Sequence, residues 1–152
     1  MSEPIVERIM AEVRTRMATF ATSFRSTRVA TWQPKDLVVH VHQGAVTANM
    51  ELSCPGNPPA QAYELQALVA GIVKPSDLST TPVDTFKNRL ASEIIKAATS
   101  VSQWHTWGSL AFNTEIGTVD DYTDESGAVA GVMVAFTIYF RTDETNPYNA
   151  RA

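Results

Sequence analysis

With 152 residues, 44% of them hydrophobic and 18% charged, the chain is long enough for one domain with a core of its own, spanning 1–152. A net charge of -4 and a low share of charged residues argue against a cation-coated nucleic-acid binder, and suit a protein that covers its surface with partners. The single cysteine, Cys54, excludes an intrachain disulfide framework.

The N-terminal "MSEPIVERIMAEV" has acids where a leader peptide needs basic residues. No run approaches the ~18 apolar residues of a membrane span. The expectation is a soluble, cytoplasmic, reduced domain. The first segment reads as a helix, with Ser2 as its cap, Glu3 at the positive end and Pro4 in the first turn. Ile5, Ile9, Val13, Met17, Phe20 and Phe24 recur at steps of four and three, one helical face. That face is core or, alternatively, packs on a neighbouring subunit. Glu7, Arg8, Glu12, Arg14 and Arg16 occupy the other faces. Arg25, Arg28 and Lys35 follow in a polar linker with Trp32 and Pro34; they read as solvated cations, with phosphate contact as the alternative.

"DLVVHVHQG" is a strand, with Leu37, Val39 and Val41 on one face and Val38, His40 and His42 on the other. "AVTANMELS" continues it or pairs with it. "CPGNPP" breaks the chain. In "AQAYELQALVAGIV", Tyr63, Leu65, Ala67 and Val69 alternate with Glu64, Gln66 and Leu68. The alternation predicts a strand, although many of these residues are good helix formers. "STTPVDTFKNRLASEIIKAAT" is a helix with Thr81 as cap, Pro82 at its first position and Asp84 in the capping-box place. Its stripe is Val83, Phe86, Leu90, Ile94 and Ala98. "SLAFNTEIGTV" puts Leu110, Phe112, Thr114 and Ile116 on one face of a strand, and "DDYTDESG" is an acidic turn. In "AVAGVMVAFTIYF", Val132, Val134, Phe136, Ile138 and Phe140 share one face; Met133, Ala135, Thr137 and Tyr139 share the other. A strand apolar on both sides needs both sides covered. Its thirteen residues from Val129 to Arg141 would extend about 43 Å, against a radius of gyration of about 15 Å for such a domain. Either one strand crosses the whole body, or the hairpin projects and a partner buries it, or a bulge near Gly131 splits it into two shorter strands. Residues 143–152, "DETNPYNARA" with Asp143 at its head, read as a loosely held polar tail.

Little here carries chemistry. His40 and His42 project from one strand face and are the best metal candidates, with His105 and Cys54 as the only other imidazole and thiol. No H-E-x-x-H or C-x-x-C accompanies them, so two polar residues on a solvent or interface face is the plainer reading. Asp120, Asp121, Asp124 and Glu125 cluster without the order of a calcium loop and read as a solvated turn. Lining a pore, such acids would repel DNA and let it slide. Cys54 sits in a turn with no identifiable base. No nucleophile elbow, dinucleotide fingerprint or P-loop occurs. Trp104, His105 and Trp107 suit an interface or a core edge equally.

The order of elements resembles bacteriophage tail terminator (tail completion) proteins of the minor tail protein U type. The resemblance is carried by "IVERIMAEVRTRMATF", "LVVHVHQG", "FKNRLASEIIKAAT" and "WHTWGSLAFNTEIGTVDDYTDESGAVAGVMVAFTIYFRTDETNPYN". These are diffuse patterns that cover nearly the whole chain, with no catalytic signature among them. The chain departs from shorter members in its "CPGNPPAQ" turn and extended hairpin, so no contact residues carry over.

The resemblance implies an α+β fold: a mixed or antiparallel sheet with two main helices on one side and a long C-terminal hairpin. It implies a homo-oligomeric, six-membered ring in the virion tail or neck, assembled in the host cytoplasm. Such a ring caps the tail tube protein, ends its polymerisation, joins the head–tail connector and passes DNA through its lumen without specific binding. Neither cofactor, catalytic residue, metal nor membrane is implied. On this reading Asp120, Asp121, Asp124 and Glu125 stand at a projecting hairpin tip, facing the lumen or a neighbour, and Arg14 and Arg16 meet acids across a subunit boundary. The alternatives are another neck, connector or tail-tube component, and a small metalloenzyme using His40, His42 and His105.

Overall fold

The computed structural model describes residues 3–25, 38–56, 58–73, 83–122 and 130–151. Helices α1 (Ile5–Met17) and α2 (Val83–Thr99) accompany strands β1 (Thr22–Arg25), β2 (Val38–Cys54), β3 (Ala60–Val73), β4 (Asn113–Tyr122), β5 (Ala130–Asp143) and β6 (Asn146–Arg151). The strands form one sheet in the order β1-β2-β3-β5-β4, and β6 pairs with β5. All pairings are antiparallel except β1 with β2, which makes the sheet mixed and the fold α+β.

Helix α1 begins after Pro4 and buries Ile5, Ile9, Val13 and Met17 as its spacing predicts. It buries Met10 as well, because the sheet and α2 both flank it. Phe20 falls beyond the helix end and packs partly against the core. Ser2, Thr81 and Pro82, expected at helix starts, lie outside the described residues, as do Arg28, Trp32, Pro34, Lys35 and Leu37.

Alternation places the sheet's inner face against the helices. Val39 and Val41 of β2, Leu65, Ala67 and Val69 of β3, and Val132, Val134, Phe136, Ile138 and Phe140 of β5 join Leu90, Ile94 and Ala98 of α2 in one core. Gly71 permits the close approach of α2, since a Cβ there would stand 2.9 Å from the Leu90 side chain. A Cβ on Gly131 would fall 2.4 Å from the Gly71 carbonyl oxygen. The glycine is what lets β3 and β5 close at this point.

Strands β4 and β5 form the expected long C-terminal hairpin, and β5 corrects two finer expectations about it. It is continuous, with an unbroken register against β3 from Val73↔Ala130 to Ala60↔Asp143. It also does not project alone: β3 matches it residue for residue on one edge, and β4 then β6 occupy the other. The irregularity of this hairpin lies in β4, between Ile116 and Val119. The loose-tail reading of 143–152 is overturned too. Residues 146–151 form β6, held by Arg151 Nη1 donating to Asp143 Oδ1 at 2.5 Å and by Asn149 Nδ2 donating to Asp143 Oδ2. The Arg151 bond first, then Asn149, hold the Asp143 carboxyl below its ordinary value.

Candidate assembly surface

Arg16 is not on the surface. Only 5% exposed, it donates from Nη1 to the Ala98 and Trp104 carbonyls at 2.8 Å each, and from Nε to Glu12 at 3.2 Å. Ala98 lies in the last turn of α2, whose final carbonyls have no partner within the helix. The guanidinium also sits 4.1 Å from the centroid of Trp107. Burial pulls the Arg16 pKa below its ordinary value, and the hydrogen bond and charge of Glu12 oppose that shift. Trp107 is fully buried, donates from Nε1 to Thr114 Oγ1 at 2.7 Å and meets Phe136 edge-on. The Thr114 hydroxyl in turn donates to the His105 carbonyl. Arg16 therefore ties α1 to α2 and to the Trp107 loop, which removes it from the interface set.

Asp120 and Asp121 lie in β4 rather than in a turn, and both are exposed. Asp124 and Glu125 fall outside the described residues. The strand sends Asp121 to the helix side, where its Oδ1 meets Lys87 Nζ of α2 at 3.1 Å, and Asp120 to the opposite side. Arg14 is exposed on α1 and is tied locally: its Nε donates to the Ser23 carbonyl at 3.3 Å, and the Ser23 hydroxyl returns a bond to the Arg14 carbonyl. Arg25 of β1 pairs with Glu7 of α1 at 2.8 Å. A shallow open groove runs between α1 and β1, lined by Ala11, Arg14, Thr15, Ala18 and Ser23.

The outer face of the sheet has no described helix over it. Polar residues, most of them half-buried, cross it in a row, where the sequence offered only the alternation of β3 and β5 as a signal. Asn49 Nδ2 donates to Glu64 at 2.9 Å, Gln66 Nε2 to the Thr137 hydroxyl at 3.1 Å, and the Tyr139 hydroxyl to Glu115 at 3.1 Å. Arg141 adds a bond from Nε to the Leu52 carbonyl at 2.8 Å. Burial first and Glu115 second raise the Tyr139 phenol above its ordinary value. At one end of this face Val38, His40, Ala70 and Ile72 are buried. The His40 and His42 rings stack there with centroids 6.0 Å apart. Burial lowers both imidazole pKa values, and the neighbouring His42 lowers that of His40 further.

The two margins of the sheet are open among the described residues. Strand β1 covers β2 only from Val38 to Val41, and nothing described pairs with the outer edge of β1 or β4. Both margins carry exposed apolar side chains: Val46 and Met50 on β2, Ile116 and Val119 on β4. Ile116 belongs to the helix side as its alternation predicts, yet it is 40% exposed.

Cys54 ends β2 half-buried as a free thiol. Among the described residues, no three histidine, cysteine or acidic side chains come together as metal ligands, and no helix is long and apolar enough to cross a membrane. No protein-family model and no curated protein matches this chain.

Proposed function

We propose that the chain is the ring-forming terminator of a phage tail. Copies encircle the end of the tail tube, stop its growth and present a surface to the head–tail connector, while DNA passes through the lumen without specific recognition. The protein acts as a virion structural component with no reaction of its own. The observation that carries this reading is the sheet whose two margins, among the described residues, are open and bear exposed apolar side chains beneath α1 and α2. Open strand edges invite pairing with another chain. When the two margins differ, the contact is head-to-tail, and a closed rotation makes it a ring. The polar part of the outer face, with Glu64, Glu115 and Asp120 against Arg141, suits a wet surface that repels phosphate more than it holds it. The resemblance of the element order to tail terminators supplies the tail.

Electron microscopy of particles made without the protein tests the assignment. Tails of uncontrolled length, unattached to heads, are expected. Tails of normal length lacking heads would move the protein to the connector, and normal infectious particles would end the assignment.

A further inference from the structure

We infer that the margin of β4 in one copy seats on the α1–β1 groove of the next copy; this deepens the ring reading above by naming its two contact faces. The two surfaces are complementary in shape, in backbone bonding and in charge.

Shape comes first. Ala11, Thr15 and Ala18, spaced i, i+4 and i+7, put small exposed side chains on the outward face of α1. Ile116 and Val119 protrude from β4 on its helix side, 40% and 47% exposed. Sheets joined edge to edge with their helices on one side set these apolar residues against that small-residue face. Backbone comes second. The outer edge of β1 (Thr22–Arg25) and the outer edge of β4 are both unpaired among the described residues. Each offers the N–H and C=O groups that the other lacks.

Charge comes third. The groove holds Arg14 and Arg25 against Glu7, whereas the helix side of β4 presents Asp121 beside Lys87 of α2. Asp121 uses Oδ1 for Lys87 and is 74% exposed in its side chain, so Oδ2 is open to a neighbour. Arg14 is on the helix side as well, and the only bond its side chain makes among the described residues uses Nε. The pair Arg14–Asp121 between copies is therefore on the correct side of the joined sheet. Because β1 and β4 are the first and last strands of one sheet, each copy contributes one of each, and the contact repeats until it closes.

Native mass spectrometry of the full chain at micromolar concentration, with four proteins in parallel, is the test. Wild type is expected as a multi-subunit ring. Arg14→Glu and Asp121→Arg are each expected to weaken assembly by about tenfold or more through like-charge contact. The double exchange is expected to restore it. Restoration cannot come from folding alone, because Arg14 touches Ser23 and Asp121 touches Lys87 in separate parts of the monomer. A wild-type ring that both single exchanges leave intact, or that the double exchange fails to restore, overturns this interface while the ring stands. A wild-type monomer overturns the ring and the interface together.

Discussion

Trp107 adopts a left-handed backbone conformation, with φ of 49°. Such a backbone is costly for a bulky side chain, and it persists here because Arg16, Thr114 and Phe136 fix the indole from three directions. Removing the indole also strips the Arg16 guanidinium of a buried neighbour. Trp107→Ala is therefore expected to destabilise the monomer by about 3–5 kcal/mol in urea unfolding, the range for large-to-small changes at buried aromatics. A loss below about 1 kcal/mol would mean the loop repacks freely. Arg16 shows where residue-level reading of the sequence fails. It lies seven residues after Ile9 and three after Val13, so helical spacing already puts it on the buried face. Its charge directed it to the surface instead. What turns it inward is a pair of carbonyls some eighty residues away, which no local pattern reveals.

Among the elements, β3 was legible and β6 was not. Tyr63, Leu65, Ala67 and Val69 alternate with polar neighbours, and a two-residue period outweighs the helix-forming tendency of Ala, Gln and Leu once β2 and β5 flank the segment on both edges. Strand β6 is exposed from Asn146 to Asn149 and so carries no apolar period. Its place depends on the Asp143 carboxylate, which accepts from Asn149 and Arg151 at once. Since that carboxyl titrates below its ordinary 3.8 in the folded chain, its contribution is present above that value and is lost as the pH falls through the lowered folded value. The 15N relaxation of Ala150 and Arg151 is expected to report a rigid β6 at neutral pH and a loosened one in acid. Asp143→Asn should loosen it at neutral pH. Rigid β6 signals in that variant would show that ladder bonds alone hold the strand.

For the whole molecule, fold class was readable because the apolar periods of α1, α2, β3 and β5 all agree on one buried face. The state of the opposite face was not, because alternation says which residues share a side and not whether anything lies over it. His40 and His42 lie on that face, and burial keeps both imidazoles below their ordinary 6.5. The folded chain thus binds fewer protons than the unfolded one between the lowered values and 6.5. Stability is complete above 6.5 and is lost as the pH falls below it. The melting temperature is expected to decline as the pH is taken down through 6.5, with a shallower slope in His40→Gln. A flat profile in both proteins would sink this account of the histidines.

The pairing of β3 with β5 joins residues as distant as Ala60 and Asp143, and it sets a timetable for the newborn chain. At about 5–20 residues per second, β3 leaves the ribosome some 3–17 s before its partner. Through that interval the nascent hairpin of β2 and β3 has one sticky flank bare, open to pairing with other copies of the chain. Chaperone dependence, more than any weakness of the finished fold, is then the step expected to limit how much of this protein a cell obtains.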